Sequence, residues 1–247
     1  MHRFFVSPED INDRIVLSGE NANHASSVLR IKSGEKIVIC DGLMMDYICE
    51  VQSVAKTQVA ALVINKHKNT AETGLKITVY QGLPKGDKLE QVVQKAVELG
   101  AYAIVPMVCQ RSVAKADNFA AKQPRLQKIS EAAAKQSHRG IIPNVGMSKT
   151  IQQAIDDTIG VTALAMHTGS DAINSAKYLR SINLGANLDY ALFIGPEGGF
   201  ANEEIGAFKE RGIPLISLGG SVLRTETAAV VAIANIQYEY QCQYYGV

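Results

Sequence analysis

From about residue 75 the chain alternates between short apolar runs and amphipathic segments, and this alternation constrains the fold more than any other feature. KITVYQGL precedes DKLEQVVQKAVELGA, whose apolar residues lie largely on one helical face before Gly100. The strand AIVPMV follows, and then a helix that we expect to begin near Pro124. Alternating strands and helices build a mostly parallel sheet covered by helices on both faces. The second part of the chain is therefore predicted to be an α/β domain.

The same alternation continues to the end of the chain. We expect strands at VTALAMH, YALFIG and IPLISLG, and helices near KTIQQAIDD, near NEEIGAFKER and from about Thr225. Three loops follow the three strands: MHTGS, GPEGGF and GGSVLRTETA. Ligands of open parallel sheets bind outside the carboxyl ends of the strands. If these strands are neighbours, their loops form one pocket.

The first seventy residues follow a different pattern, with strands but few helices. Turn signals separate the short runs RFFV, RIVLS, EKIVICDG, YICEVQSV and QVAALVI, and one helical stretch, ENANHASSVLRI, intervenes. This pattern predicts a small β-barrel. The polar segment NKHKNTAETG has no periodicity and reads as a linker. We therefore expect two domains, at residues 1–70 and 75–247.

Composition excludes several classes of protein. The chain is 47% hydrophobic and 20% charged, which is typical of a globular protein. No run of about eighteen apolar residues occurs and the start is polar by its seventh residue, so we expect neither a membrane span nor a signal peptide, and a cytoplasmic location. The four cysteines lack the close spacing of a zinc site, and no metal is expected.

Basic residues are concentrated in the middle of the chain. The net charge is only +1, but residues 85–139 contain ten Lys/Arg and five Asp/Glu. A local excess of this kind is typical of a surface that contacts nucleic acid.

The loop GPEGGF indicates which ligand the pocket takes. The chain has neither GxGxxG after its first α/β strand nor the GxxxxGK[ST] of a phosphate-binding loop, which disfavours an NTPase. GPEGGF has no cation and contains Glu197, so it suits a cationic ligand held by backbone groups, and S-adenosylmethionine (SAM) is one. Glu197 is expected either to cap the following helix or to organise the loop or a subunit interface.

Several long motifs together resemble one known family. FIGPEGGF, LGGSVLRTETA, QGLPKGDKLEQVVQKAVELGA, VCQRSV and EAAAKQSHR resemble the RsmE type of ribosomal RNA methyltransferase, in the SPOUT superfamily. HRFFV and HASSVLRIKSGEKIVICDG extend the similarity over nearly the whole chain. The resemblance implies a PUA-like barrel that binds RNA, followed by an α/β domain with a parallel sheet and a trefoil knot. It further implies a homodimer that uses SAM to methylate N3 of a uridine in 16S ribosomal RNA, either free or in the assembled small subunit.

The resemblance also implies which residues bind the cofactor. They occupy the loops after the three last strands, although the family often carries a different motif in place of MHTGS. The cofactor residues implied in this way are Met166, His167, Ile194, Gly195, Pro196, Gly198, Gly199, Leu218, Gly219, Val222, Leu223 and Thr225. Thr225 is also a natural N-cap for the last helix.

RNA contacts are expected along the basic middle segment and in the first domain. Arg125, Lys128, Lys135 and Arg139 fall on or near one stripe of a helix, with Arg111 and Lys115 upstream. In the first domain the resemblance adds Arg3, His24 and Arg30. Alone, each of these would more simply be a solvated surface residue.

Methylation at N3 requires the lone pair that the N3 proton occupies. A guanidinium cannot accept that proton, but it stabilises negative charge on the uracil oxygens, and we expect Arg139 and Arg224 in this role. If a side chain accepts the proton, we expect it to be Glu226 or His138. Two other functions stay open: a SPOUT enzyme that methylates another base or a ribose 2′-hydroxyl of rRNA or tRNA, and a noncatalytic RNA-binding assembly factor.

Overall fold

A computed structural model describes residues 1–113 and 119–245. The chain divides into two compact units. The first unit contains residues 1–72 and 134–142, and the second contains residues 73–133 and 143–247. The segment 134–142, which the sequence analysis placed in the second domain, therefore clusters with the first unit. None of the helices in the described chain combines the length and hydropathy needed to cross a lipid bilayer.

The first unit is built on one five-stranded sheet. Its strands lie in the order β1-β3-β4-β5-β2, with β1 and β3 parallel and the other pairs antiparallel. They are β1 (Arg3–Phe5), β2 (Arg14–Ser18), β3 (Lys36–Cys40), β4 (Met45–Val54) and β5 (Gln58–Lys68). The sheet is an open half-barrel with β1 and β2 at its edges, where the sequence predicted a barrel.

Alternating side chains of this sheet form the core of the first unit. In β2, Ile15 and Leu17 are buried while their neighbours face solvent, which is the period of two expected for a half-buried strand. Phe4, Ile37 and Ile39 pack in the same cluster. The helical stretch predicted here forms α1 (Gly19–Asn23) and a single π-helical turn (His24–Val28).

The second unit is built on an eight-stranded sheet in which every described pair is parallel. The order is β11-β13-β10-β12-β6-β7-β8, and β9 also pairs with β7. The strands are β6 (Lys76–Gly82), β7 (Ala101–Val108), β8 (Asn144–Val145), β9 (Lys149–Thr150), β10 (Thr162–Met166), β11 (Ile173–Asn174), β12 (Asp189–Ile194) and β13 (Leu215–Ser217). The predicted parallel sheet is confirmed, with three extra short strands: β8, β9 and β11.

Six further helices accompany these strands. They are α2 (Lys88–Glu98), α3 (Phe119–Gln136), α4 (Ile151–Asp156), α5 (Ser175–Ser181), α6 (Asn202–Glu210) and α7 (Thr225–Tyr245). The prediction that α3 begins near Pro124 was wrong: the helix already contains Phe119, and Pro124 lies inside it. Phe119 is buried, so packing extends the helix beyond the position that proline favours.

Strand order determines which loops meet. Residues Tyr190–Ile194 of β12 are almost fully buried, as expected for a central strand of a parallel sheet. Its neighbours are β10 and β6, and β13 pairs with the other side of β10. The carboxyl ends of β10, β12 and β13 consequently share one edge of the sheet, which was the condition for a common pocket.

Candidate functional site

A cavity of about 690 Å³ lies at this edge of the sheet. All twelve residues predicted to bind the cofactor line it, and so does Arg224. Eight further residues that were not predicted to bind the cofactor also line the cavity: Lys88, Thr168, Glu197, Phe200, Ile216, Ser217, Ser221 and Ala228. The volume of the cavity is within the usual range of small-molecule sites. The structure thus brings the three predicted loops together around one space.

The loop after β12 is held close to β6 because residue 82 is glycine. A Cβ atom at Gly82 would lie 2.6 Å from both Cδ and the backbone nitrogen of Pro196, closer than such atoms approach in proteins. The loop turns at once, with the Gly199 N–H donating to the Pro196 carbonyl at 2.9 Å. Gly199 has φ of 65°, a conformation that glycine adopts without steric cost.

Within the second unit, Thr225 connects the end of the loop after β13 to the loop after β12. Its hydroxyl donates to the Gly195 carbonyl at 2.5 Å and accepts from the Gln81 side-chain amide at 2.8 Å. Gln81 lies on β6 and is fully buried, and Thr225 is 5% exposed. Thr225 is the first residue of α7, and its hydroxyl joins β6 to the loop after β12.

Glu197 accepts hydrogen bonds from outside its own loop. Its Oε1 accepts from the Lys85 backbone N–H at 3.1 Å and from Lys88 Nζ at 2.8 Å. Partial burial alone would raise the pKa of Glu197, but hydrogen bonds, above all the one from Lys88, lower it below its usual value. Glu197 therefore joins its loop to the β6–α2 connection; it does not cap the following helix.

The helix after this loop is capped by a different carboxylate. Glu204 is buried, and its two oxygens accept from the backbone N–H groups of Ala201 and Gln110, both at 2.8 Å. Arg111, the next residue, donates from Nη1 to the Gly198 carbonyl at 3.2 Å. The exposed side chain of Arg111, predicted to contact RNA, thus lies against the GPEGGF loop.

The predicted catalytic residues do not share one place. Arg224 lines the cavity and is exposed, and Glu226 follows in the first turn of α7 with its side chain 17% exposed. Arg139 belongs to the first unit, where its guanidinium is 3% exposed and pairs with Glu72. That geometry favours an anchoring role for Arg139, and its contact with RNA stays a prediction.

The predicted RNA-binding residues differ in exposure. Arg3 is buried in an ion pair with Asp46, with Nη2–Oδ1 at 2.5 Å and Nη1–Oδ2 at 3.0 Å. Arg125 is exposed but pairs with Glu90 at 2.9 Å. The remaining residues are exposed or half-buried at the surface of their units: His24, Arg30, Lys128 and Lys135. Lys115 lies outside the described residues.

Two residues of the site region, Lys88 and Gln81, were not predicted from the sequence. They are the first and last residues of the QGLPKGDK segment, which begins at the end of β6 and was used only as a family motif. Polar residues at the end of a central parallel strand were the available signal. In the described part of the chain, no group of three or more His, Cys, Asp or Glu is arranged to hold a metal ion.

Comparison with known proteins matches both units to RNA methyltransferases. A protein-family model described as RNA methyltransferase domain matches residues 71–237. A second, described as RNA methyltransferase PUA domain, matches residues 17–64.

Curated relatives and solved structures match nearly the whole chain. "Ribosomal RNA small subunit methyltransferase E" of Bacillus subtilis is 34% identical over 97% of each chain. The Synechocystis protein of that name is 31% identical over 95% of this chain and 77% of its own. The Neisseria gonorrhoeae enzyme, solved bound to S-adenosyl methionine, covers 96% of this chain and 97% of its own with TM-score 0.85 and 30% identity. The chain belongs to the ribosomal RNA small subunit methyltransferase E family.

Proposed function

We propose that this chain transfers a methyl group from SAM to N3 of a uridine in small-subunit ribosomal RNA. The observation that carries the proposal is the cavity at the carboxyl ends of β10, β12 and β13, built by the loops whose sequences resemble the family. The relatives that match over nearly the whole length are small-subunit rRNA methyltransferases by name, and one was solved with the cofactor.

The residues present fit SAM in size and in charge. Met166, Ile194, Leu218 and Leu223 provide apolar walls, and the glycine-rich turns expose backbone groups. Two basic side chains line the cavity besides His167, and one of them, Lys88, already pairs with Glu197. With Lys88 and Glu197 neutralising each other, the apolar walls and exposed backbone groups suit a ligand such as SAM, which carries a sulfonium and no phosphate. We propose all twelve predicted loop residues as its binding residues.

When bound, SAM supplies a methyl group on a positively charged sulfur. The protein's part is to orient the uracil ring and to favour its N3 anion. Arg224, exposed at the cavity, is proposed to stabilise the charge on the uracil O2 and O4. Glu226, in the adjacent turn of α7, is proposed to accept the N3 proton. A flipped-out or looped nucleotide would present its Watson–Crick edge for this step.

The half-barrel unit is proposed to bind the RNA backbone. Its exposed His24 and Arg30 support this role, and each phosphate contact would steepen the salt dependence of binding. We propose that the basic residues of α3 and Arg111 contribute as well.

A homodimer and a trefoil knot are further proposals from the resemblance. Exposed aromatic side chains on α7 support the dimer, with Tyr238 68%, Tyr244 65% and Tyr245 63% exposed. Light scattering with size-exclusion chromatography tests the dimer, because a monomeric mass at micromolar concentration would contradict it.

Methylation of two substrates tests the reaction. Deproteinised 16S rRNA and intact small subunits are incubated separately with SAM that carries a labelled methyl group, and the nucleosides are identified by mass spectrometry. We expect N3-methyluridine. A ribose-methylated or other base-methylated product would assign another SPOUT reaction, and RNA binding without methylation of either substrate would support an assembly factor.

A further inference from the structure

The ammonium group of one lysine contacts a residue in the loop after β12 and a residue just after the loop that follows β13. Lys88, the first residue of α2, has its Nζ 2.8 Å from Glu197 Oε1 and 3.9 Å from Glu226 Oε2. Glu197 lies in the loop after β12, and Glu226 lies in the first turn of α7, just after the loop that follows β13. Lys88 also lines the cavity itself.

Glu226 depends on this lysine for charge compensation. Its side chain is 17% exposed, and its buried Oε2 has no hydrogen-bond partner within residues 1–113 and 119–245. A buried carboxylate oxygen without a donor is costly unless a cation lies near. At 3.9 Å, Lys88 is that cation, so loss of its charge would allow Glu226 to move.

The two loops are thus joined at two depths. The inner connection, Gln81–Thr225–Gly195, consists of hydrogen bonds between neutral groups. The outer connection is ionic, and the side chains of Lys88 and Glu197 are 31% and 29% exposed. Salt and substitution therefore weaken the outer connection first, while the inner one keeps the unit folded.

We propose, resting on the proposed function for the identity of the ligand, that Lys88 is a positioning residue that holds the two cavity loops at the spacing SAM requires. Lys88 acts through Glu197 and Glu226, and we call these three side chains the clamp. An opposite electrostatic effect competes with this role, because Lys88 also reduces the attraction of the two carboxylates for a cationic ligand. The two effects predict opposite changes in affinity, which makes them separable.

Titration calorimetry with SAM and with S-adenosylhomocysteine tests the proposal. The second ligand lacks the sulfonium charge but has nearly the same shape. Lys88→Met should weaken the binding of both ligands by about fivefold, the range expected for a partly exposed ion pair with added hydrogen bonds. Lys88→Arg should restore affinity to within about twofold of wild type. In methylation assays the loss should fall mainly on the KM for SAM.

Two further variants locate the effect. Glu197→Gln breaks the same ion pair from the other side, and the Lys88→Met/Glu197→Gln double variant should be little weaker than either single variant. Lys95→Met is the matched control, since Lys95 lies on the same helix and pairs with Glu98 on the surface of that helix. It should leave both affinities unchanged.

The outcomes distinguish the clamp from the proposed function. Wild-type affinity in Lys88→Met, or additive losses in the double variant, would overturn the clamp while leaving SAM as the ligand. If Lys88→Met bound SAM, but not S-adenosylhomocysteine, more tightly than wild type at low salt, Lys88 would act only through its charge. That result would also overturn the clamp. If wild type bound neither ligand, the proposed function would fail together with the clamp. If Lys88→Met did not fold, Glu197→Gln would provide the same comparison.

Discussion

Replacing Arg139 with methionine separates an anchoring role from RNA contact. Arg139 Nε donates to Glu72 Oε1 at 2.7 Å and its Nη2 donates to Oε2 at 2.8 Å. The Gly140 N–H donates to the same carboxylate at 2.9 Å. The two side chains are 3% and 11% exposed. Such a bidentate ion pair is the strongest geometry between arginine and a carboxylate.

The expected cost follows from what the substitution leaves behind. Methionine fills much of the volume of the arginine stem, but Glu72 keeps only the Gly140 N–H among these three donors. Breaking a buried pair from one side typically costs about 3–5 kcal/mol. We expect Arg139→Met to lower the free energy of unfolding by about 3 kcal/mol, a large part of the stability of an ordinary domain.

Urea unfolding followed by circular dichroism measures this change. Arg139→Met, Glu72→Gln and the double variant form a cycle, and we expect the double variant to be more stable than the sum of the single losses predicts. Arg125→Met is the matched control. Its guanidinium also pairs with a glutamate, Glu90, but is 72% exposed, so the loss should stay below about 1 kcal/mol.

One result would refute the anchoring role. If Arg139→Met unfolded like wild type yet lost methylation with unchanged affinity for SAM, the pair with Glu72 would be incidental, and the RNA contact predicted from the sequence would be correct. If stability and methylation fell together, a milder variant, Arg139→Lys, would show whether activity follows stability.

Three other substitutions or treatments have defined outcomes. Gly82→Ala should reduce SAM affinity at least about tenfold, because the added Cβ would displace Pro196. Gly206→Ala is the control, since a Cβ added there would have no atom within 4 Å. Equal affinities of the two variants in calorimetry would refute this reasoning. Thr225→Val should cost about 2 kcal/mol in urea unfolding, since the buried Gln81 amide keeps only the Gly82 carbonyl of its two acceptors and the Gly195 carbonyl loses the Thr225 hydroxyl; a change below about 0.5 kcal/mol would contradict it. In alkylation at pH 8, Cys242 should react first, because burial raises the pKa of three other thiols; mass spectrometry showing equal labelling would disprove this. Those pKa values are about 11 for Cys40, about 11 for Cys49 and about 12 for Cys109.

The parallel sheet and the grouping of its loops could be predicted because both depend on local patterns. Apolar runs such as YALFI become central strands, and carboxyl ends of parallel strands share an edge whatever the details between them. Short strands such as Asn144–Val145 could not be predicted, since two residues carry no periodicity.

Pairings over long sequence distances could not be predicted at all. Glu197 pairs with Lys88, which is 109 positions away in the sequence, and Arg139 pairs with Glu72, which is 67 positions away. Before folding, each of these four side chains looks like an ordinary surface charge. The basic stripe assigned to RNA therefore included an arginine whose guanidinium is buried against a carboxylate, and the loop glutamate had no evident partner.

The discontinuous first unit affects the order of events during synthesis. Its sheet is complete in sequence at Lys68, but Arg139 and Gly140, which bond to Glu72, leave the ribosome about seventy residues later. At a synthesis rate of about 5–20 residues per second, roughly 4–14 s pass between the synthesis of Glu72 and that of these partners. A nascent or excised fragment that stops near residue 72 would carry an uncompensated acid at its end. Excision of a stable first unit therefore requires residues 134–142 to be supplied as well, in cis through a short linker or in trans as a peptide.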